Sequence, residues 1–349
     1  MLSESDLISF IVRGRAGAPV RSGDVGIGDD CAVLRAGGRS VLVTMDLMAE
    51  GVHFDLAYTP PYLLGRKAVA ASLSDIAAMG GVPRGVFVSA ALPDRTRPAF
   101  ARALFEGIHE QAKGAGASVL GGDTSSSKRG LFLDVAAIGE AGRGGPILRR
   151  GARAGDAIYV SGTLGASARG LELLRRGFRP WSRRLWSRSL LVRGREADRR
   201  RDELVAALAH LLPQPRLALG RALGARGLPT AMIDVSDGLA IDLHRLCEAS
   251  GVGAVIDEAR IPVDPAADAG RRGRALALGG GEDYELLFTV PVRAQKRLLD
   301  LAARVREPLT RIGRVAPARR GVVLVDAEGR ARPLPRSGYE HFARRSRRR

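Results

Sequence analysis

The sequence predicts an α+β fold built from two domains. Its 349 residues, 45% of them hydrophobic, can bury a sizeable core and exceed the usual size of a single domain. Segments with strand and helix periodicity alternate irregularly, which favours α+β halves over a doubly wound parallel sheet. We predict an N-terminal domain over residues 1–148, a C-terminal domain over 149–342 and a basic tail over 343–349.

The N-terminal half begins with a short helix and continues with strands that end in polar loops. Residues 2–12 carry a serine cap and place Leu7, Ile8 and Ile11 at helical spacing, so we expect these side chains to face inward. The apolar, β-branched run 41–44 predicts a buried strand that delivers Asp46 at its carboxyl end. The elements predicted after it are a helix over about 61–79, a strand over 84–92, a helix over 98–113, a strand over 118–121 and a strand over 131–139.

The C-terminal half repeats this mixture after a loop rich in arginine and glycine. Hydrophobic periodicity and turn residues mark its elements. They are a strand over 157–160, a helix ending near 176, a helix over 216–226, a strand over 230–233, an amphipathic helix starting at 239, a strand over 286–290, a helix over 293–305 and strands near 309–315 and 321–326.

The formal net charge of +18 belongs mainly to two short stretches. Residues 175–201 hold eleven arginines against two acidic residues, and the tail from Arg344 to Arg349 adds five more arginines. The rest of the chain carries only +4, so we favour a solvated surface over nucleic-acid binding for this basic charge. In the insertion, which spans about 175–203, Trp181 and Trp186 are packing anchors or, alternatively, rings that stack on bases.

The compartment is indicated by cysteine usage and by the lack of long apolar runs. Cys31 and Cys247 make neither a disulfide framework nor a CxxC metal site, which favours a reducing compartment. The sequence contains no run of eighteen apolar residues and no leader with a basic segment before an apolar one. We therefore expect a cytoplasmic protein with no membrane association.

Aspartates recur beside glycine and hydroxyl residues where strands end or loops begin. A single aspartate there is more often a turn or cap residue than a ligand, but five such sites in one chain favour a shared function. Converging carboxylates repel each other unless cations lie between them, and hard oxygen ligands suit Mg²⁺ that holds substrate phosphates. The sites are Asp29 with Asp30, Asp46, Asp75, Asp123, and Asp234 with Asp237.

Two of these sites have open alternatives. The Gly121–Thr124 segment, GGDT, is as consistent with a plain turn as with a backbone cradle for a phosphate. Asp237 could cap the helix that follows it, bind a metal, or do both.

Known nucleotide-binding and nucleophile motifs are missing from the sequence. It contains no GxxxxGK[ST], no kinase HRD or DFG set, no GxSxG and no complete GxGxxG. A glycine-rich site with many carboxylates and few bases suits metal-assisted phosphoryl transfer better than hydrolysis at carbon. An acceptor that is already an anionic phosphate would need no general base.

Seven segments, in order along nearly the whole chain, resemble the thiamine-monophosphate kinase family. That family belongs to the aminoimidazole ribonucleotide synthetase-like superfamily. The resemblance implies an N-terminal sheet that forms a β-barrel with its twin across a homodimer, a C-terminal α+β sandwich, and ATP in a cleft between the domains. The segments are GIGDDCAVL, TMDLMAEGVHFD, GRKAVAASLSDIAAMGGVPRG, GGDTS, MIDVSDGLAIDL, GGEDYELLFTV and GYEHF.

The resemblance also implies roles for individual residues in a reaction of ATP with thiamine monophosphate. It implies direct in-line attack of the substrate phosphate on the γ-phosphorus, with several Mg²⁺ ions. Asp46, Asp123 and Asp234 would be catalytic, Gly122, Arg149 (or the adjacent Arg150) and Ser236 would hold ATP phosphates, and His53, Glu282 and Tyr339 would contact the substrate. The implied Mg²⁺ ligands are Asp29, Thr44, Met45, Asp46, Asp75, Asp123, Asp234 and Asp237.

Some features depart from the family or support a rival. Met45 stands where many relatives carry a hydroxyl residue, so it would coordinate only through its backbone carbonyl. The alternative function is that of another ATP-using superfamily member with a different acceptor. Selenide chemistry would need a reactive cysteine and a lysine near the N-terminus, and residues 1–25 contain neither. A nucleic-acid or acidic partner of the basic segments would bind less tightly as salt rises.

Overall fold

The computed structural model describes residues 4–13, 21–181, 195–267 and 270–342. Helices α1 to α9 are Glu4–Arg13, Pro61–Ala78, Pro98–Gly114, Ala166–Arg175, Arg195–Leu211, Leu217–Arg226, Leu239–Ser250, Arg271–Gly279 and Gln295–Val305. Strands β1 to β12 are Ala32–Ala36, Arg39–Ala49, Gly81–Pro93, Ser118–Ser127, Phe132–Ala141, Ala157–Ser161, Ala231–Val235, Val252–Asp257, Glu285–Val290, Leu309–Pro317, Val322–Val325 and Ala331–Pro333. Two separate mixed sheets with flanking helices confirm the α+β prediction.

The first sheet is built from the N-terminal strands in the order β1-β2-β5-β3-β4. Only β3 and β4 run parallel, while β2, β5 and β3 are joined by antiparallel ladders. Alternation along β2 turns Leu42, Thr44 and Met48 to the buried face and leaves Met45 and Leu47 exposed on the other. In the described part of the chain the sheet remains open at β1 and β4, so the barrel across a dimer stays a prediction.

Helices α2 and α3 cover the buried face of this sheet and cross each other closely. A Cβ atom at Gly65 would lie 2.1 Å from the carbonyl oxygen of Leu104, and one at Gly107 would lie 2.0 Å from that of Tyr62. Only glycine permits this approach of the two backbones. The contact fixes α2, which carries Lys67, Ser74 and Asp75, against the sheet.

The second sheet has seven strands in the order β12-β11-β8-β10-β6-β9-β7. Strands β6, β7 and β9 are buried along their whole length, which explains their continuous apolar runs. Strand β7 lies at one edge and ends at Val235. The residues after it, from Ser236 to Gly238, therefore emerge at the sheet's edge.

The two sheets are joined by a close contact between α2 and α6. A Cβ atom at Gly220 would lie 2.3 Å from the carbonyl oxygen of Ala77, and one at Gly224 would lie 2.4 Å from that of Gly80. The carboxyl end of α2 is therefore buried between the sheets.

Three predictions about elements need correction or fall outside the description. Leu7, Ile8 and Ile11 are 38–50% exposed in the chain rather than facing inward, because α1 does not pack against either sheet core. The strand predicted over 118–121 continues to residue 127, so GGDT lies inside β4 and not in a loop after it. Trp186 and the tail 343–349 lie outside the described residues, as do residues 182–194 of the arginine-rich insertion. No described helix combines the length and apolar character needed to cross a bilayer.

Candidate active site

A cavity of about 880 Å³ opens between the two sheets. Its wall comes from β2, α2, α4, the last turn of α5, the loop after β7, the glycine loop 279–281 and the segment around Tyr339. The cavity is lined by Asp46, Asp75 and Asp234 and also by His53 and Glu282. One cavity therefore holds most of the residues predicted for metal and substrate.

Three aspartates from distant parts of the sequence converge at this cavity. Carboxylate oxygens of Asp30, Asp75 and Asp234 all lie within 4.8 Å of one another. Asp30 comes from the loop before β1, Asp75 from α2 and Asp234 from β7. We call these three residues the aspartate cluster. It joins both domains, and Asp30 was missed as a ligand because its neighbour Asp29 has the same sequence context.

Hydroxyl groups satisfy part of the aspartate cluster. The Thr44 hydroxyl donates a hydrogen bond to Asp75, and the Ser74 hydroxyl donates one to Asp234 over 2.6 Å. Two buried carboxylate oxygens, Oδ2 of Asp30 and Oδ2 of Asp46, have no hydrogen-bond partner among the described residues. Buried acceptors without donors are costly, so these oxygens are suited to coordinate a cation.

Burial and mutual repulsion raise the pKa values of these carboxyl groups. Burial raises the pKa of Asp75 well above its usual value, and the charges of Asp46 and Asp234 raise it further. Burial and then Asp30 act in the same way on the pKa of Asp234. The pKa of Asp46 is also raised, chiefly by burial. Crowded, desolvated carboxylates with unpaired oxygens fit a divalent cation with oxygen ligands, such as Mg²⁺.

Arg149 closes the cluster on the side of the second domain. Its side chain donates to Oδ1 of Asp30 over 2.7 and 3.1 Å, while its backbone N–H donates to the Asp29 carboxylate. Burial, followed by the charge of Asp30, raises the pKa of Asp29 to about 6. Arg150 is exposed, so Arg149 is the arginine that the fold brings to the cluster. Asp29 as a metal ligand stays a prediction.

The loop after β7 lies against the glycine loop 279–281. Ser236 accepts a backbone hydrogen bond from Glu282 over 2.7 Å, and a Cβ atom at Gly281 would lie 2.7 Å from the Ser236 carbonyl oxygen. The carboxylate of Asp237 pairs with Arg245 over 2.5 Å instead of capping α7. Asp242 accepts the backbone N–H groups of Asp237 and Gly238 in its place. Asp237 therefore faces the cavity without a capping role.

Gly122 and Asp123 lie apart from the aspartate cluster in a single chain. Asp46, Val88 and Gly122 share one row of the sheet, whereas Asp123 is aligned with Ser89 in the next row and faces the opposite side. These two residues line a second, shallower depression of about 440 Å³, which shares no lining residue with the main cavity. A Cβ atom at Gly122 would lie 1.8 Å from the Val88 carbonyl oxygen, so glycine is required there by packing alone.

Aromatic side chains form the other predicted substrate contacts. The His53 and His341 rings lie 5.2 Å apart, and Tyr339 meets His341 edge-on at 4.9 Å. The backbone N–H of Ala49 donates to Nδ1 of His53, and burial lowers the His53 pKa. His53 is therefore neutral and fixed in orientation near neutral pH.

Glu282 lines the same cavity, and sequence reasoning missed its ion-pair partners. Its carboxylate lies 2.8 Å from Nζ of Lys67 and 3.1 Å from Nδ1 of His210. Lys67 is only 1% exposed, which is rare for lysine unless it is paired. No local pattern marks Lys67 or His210, because their partners are 215 and 72 residues away in the chain.

Two family models and curated relatives match this chain over most of its length. The family model for AIR synthase related protein, N-terminal domain, matches residues 28–141, and that for the C-terminal domain matches residues 153–326. The chain is 36% identical to thiamine-monophosphate kinase of Bacillus subtilis over 323 residues, which are 91% of this chain and 94% of that protein.

Solved structures give the same result. The structure of AaThiL complexed with AMPPCP and TMP superposes with a TM-score of 0.80 at 30% identity, covering 98% of this chain and 97% of that one. Thiamine-monophosphate kinase from Stenotrophomonas maltophilia superposes with a TM-score of 0.72 at 35% identity, covering 93% and 97% of the two chains. With its two matched domains and this likeness over nearly its full length, the chain belongs to the thiamine-monophosphate kinase family of enzymes.

Proposed function

We propose that this protein phosphorylates thiamine monophosphate with ATP to give thiamine diphosphate and ADP. An oxygen of the substrate phosphate attacks the γ-phosphorus in line, and the bond to the β,γ-bridging oxygen breaks as ADP leaves. The observation that carries the proposal is the cluster of buried carboxylates beside an inter-domain cavity that His53, Glu282 and Tyr339 also line. The solved relative that holds AMPPCP and TMP together supports it.

The metal-binding groups are expected around the aspartate cluster. When bound, Mg²⁺ neutralises phosphate charge and aligns the reacting groups. The unpartnered oxygens of Asp30 and Asp46 support its binding there. The residues that would hold it are Asp29, Thr44, Met45 through its backbone carbonyl, Asp46, Asp75, Asp123, Asp234 and Asp237, and the position of Asp30 adds that residue to the set.

Arg149 and Ser236 would bind the phosphates of ATP from the second domain. Arg149 already lies against Asp30, so its guanidinium can contact a phosphate only at the edge of the metal site. Ser236 lines the cavity beside Asp234. The acceptor phosphate is anionic, so the chain need not supply a base, and catalysis consists of positioning and charge neutralisation.

The substrate's heterocycles would occupy the end of the cavity lined by His53, Glu282 and Tyr339. The ring of Tyr339 is a surface on which an aromatic heterocycle can stack. Glu282 supplies a negative charge that suits a cationic thiazolium and an amine-bearing pyrimidine.

We also propose that the enzyme is a homodimer in which Asp123 acts across the interface. The open face of the first sheet exposes large apolar side chains, a pattern typical of interaction surfaces. In a single chain Asp123 faces that same side, away from the aspartate cluster. The exposed apolar residues there are Met45, Leu47, Phe87 and Phe132, which are 38–64% exposed.

Heterodimers of two inactive variants test this arrangement. Chains carrying Asp46→Asn and Asp123→Asn, with different affinity tags, are co-expressed and purified through both tags. If Asp123 serves the partner's site, one of the two sites is intact and about half of the wild-type activity returns. A heterodimer as inactive as its parents would place both aspartates in the same chain's site, and a monomer in sedimentation analysis would end the dimer proposal.

The activity itself is tested by the formation of thiamine diphosphate from thiamine monophosphate and Mg·ATP. The product is oxidised to its fluorescent thiochrome ester and separated from the monophosphate. Product is expected from the wild type and not from Asp46→Asn, and unphosphorylated thiamine should yield none. A folded, ATP-binding wild type that forms no product would move the assignment to another acceptor, to be sought among ribonucleotide amides.

A further inference from the structure

The geometry points to a positioning network around Glu282 in the cavity wall. We propose that Lys67 and His210 hold the Glu282 carboxylate in place as a hydrogen-bond acceptor for the substrate's amine-bearing heterocycle. This deepens the proposed function and rests on it. It also gives α5, whose first residues belong to the arginine-rich insertion, a part in substrate recognition through Glu282.

The three side chains come from three separate parts of the fold. Lys67 lies on α2 of the first domain, His210 lies in the last turn of α5, and Glu282 follows the glycine loop of the second domain. Nζ of Lys67 lies 2.8 Å from Oε1 of Glu282 and 3.2 Å from Nε2 of His210. Nδ1 of His210 lies 3.1 Å from Oε2 of Glu282. Each side chain therefore contacts the other two in a closed triangle.

Donor and acceptor roles in the triangle follow from the chemistry of the groups. An ammonium group can only donate, so Nε2 of His210 must accept from Lys67 and the imidazole proton must lie on Nδ1. That N–H then donates to Oε2 of Glu282 over 3.1 Å, and Oγ of Ser167, which lies 3.2 Å from Nδ1, shares it as a second acceptor. Burial lowers the pKa of His210, which keeps the ring neutral near neutral pH. The triangle thus contains one cation, one anion and one neutral ring, and its net charge is zero.

The backbone conformation and backbone hydrogen bonds also restrain Glu282. Glu282 has φ of 67°, a left-handed conformation that non-glycine residues seldom adopt. Its N–H donates to Ser236 over 2.7 Å, and Tyr284 donates to Val235 over 2.9 Å. The carboxylate is therefore held in a fixed position relative to the loop that carries Asp234 and Ser236.

One side of the carboxylate remains available to a ligand. Lys67 and His210 each occupy one lone pair, on different oxygens, and each carboxylate oxygen has two. The Glu282 side chain is 25% exposed and lines the cavity, whereas the side chains of Lys67 and His210 are only 1–2% exposed. Burial acts to raise the pKa of Glu282, but Lys67 and His210 hold it well below its usual value. Glu282 thus presents an ionised, oriented acceptor to an amine N–H.

Steady-state kinetics of the full chain tests this role. Lys67→Met should raise the KM for thiamine monophosphate about 30-fold, because it leaves a buried carboxylate unpaired and free to rotate. His210→Gln should raise it roughly fivefold through the loss of one hydrogen bond. The KM for ATP and the kcat at saturating substrate should change by less than about threefold in both, since the hydrogen bonds and ion pairs of the two residues go to Glu282, to each other and to Ser167 and not to the aspartate cluster. Lys113→Met, at an exposed lysine on α3, is the matched control.

A double-mutant cycle separates positioning from a general structural role. If Lys67 acts through Glu282, Lys67→Met should have little further effect on the KM for thiamine monophosphate in a Glu282→Gln background. In that background no carboxylate remains for the lysine to hold in place. Additive effects, or equal losses in the KM for ATP, would overturn the proposal. If Lys67→Met fails to fold, His210→Gln and the double variant decide the question. Because wild-type turnover is measured first, an inactive wild type refutes the proposed function, whereas an active wild type with unshifted variants refutes only this inference.

Discussion

Two groups of charged side chains treat buried charge in opposite ways. In the aspartate cluster, Asp30, Asp75 and Asp234 crowd together beside Arg149, and one oxygen of Asp30 has no hydrogen-bond partner among the described residues. In the second group, the Glu282 carboxylate is paired with Lys67 and His210. The first arrangement favours bound cations, whereas the charge of the second is balanced within the chain itself. The aspartate cluster is thus suited to exchangeable ligands, whereas the group around Glu282 is suited to hold one side chain in a fixed position.

The largest expected effect comes from replacing a carboxylate of the aspartate cluster by its amide. Asp75→Asn removes one of the crowded charges, so kcat should fall by about 100-fold or more while metal-free thermal stability rises. Turnover by the thiochrome assay and thermal denaturation in EDTA measure the two quantities. A variant that loses activity and also unfolds at a lower temperature would show that the carboxylate is needed by the fold and not by the metal.

Glu282→Gln should lower thermal stability, whereas Asp75→Asn should raise it. It leaves the Lys67 ammonium buried without its counter-charge, and breaking a buried pair costs about 3–5 kcal/mol. For a chain of this size that corresponds to a fall in melting temperature of about 5–10 °C. Glu328→Gln, at an exposed position paired only on the surface, is the control that should leave the melting temperature unchanged. An equal fall in both variants would remove the contrast between the aspartate cluster and the Glu282 group.

The smallest expected effect is on the pH dependence of stability. The pKa of Asp29 is raised to about 6 in the folded chain, so its contribution to metal-free stability is present below about pH 4 and lost as pH rises through 6. The pKa values of Asp75 and Asp234 are also raised, chiefly by burial, so these groups act on stability in the same direction. Mg²⁺ competes with these protons, so the rise in melting temperature on adding Mg²⁺ should be larger at pH 8 than at pH 5.5.

Thermal denaturation with Mg²⁺ or with EDTA, at both pH values, measures this difference. Asp75→Asn should reduce it, because that variant lacks one of the repelling charges. A Mg²⁺ effect that is the same at both pH values would contradict the account of the aspartate cluster as a charged, proton-linked metal site.

Much of the fold followed from local patterns. The helices Pro61–Ala78 and Pro98–Gly114 and the strands Ala157–Ser161 and Glu285–Val290 lie within a few residues of their predicted bounds, since apolar periodicity and flanking Pro and Gly residues mark them. The strand Val252–Asp257 and the helix Arg271–Gly279 were not predicted. The first is short, and the second is rich in arginine, alanine and glycine with a weak apolar stripe, so tertiary packing and not local preference decides their conformation.

The sequence by itself determined the chemistry of this protein: two α+β halves, a set of aspartates beside glycine and hydroxyl residues, and the family to which they belong. Only the tertiary structure decided which of those residues meet. It brought Asp30 and not its neighbour Asp29 to Asp75 and Asp234, it turned Asp123 to the other face of the sheet, and it paired Glu282 with Lys67 and His210. The physical reason is that a side chain's direction depends on the parity of its strand and on contacts between residues far apart in the chain.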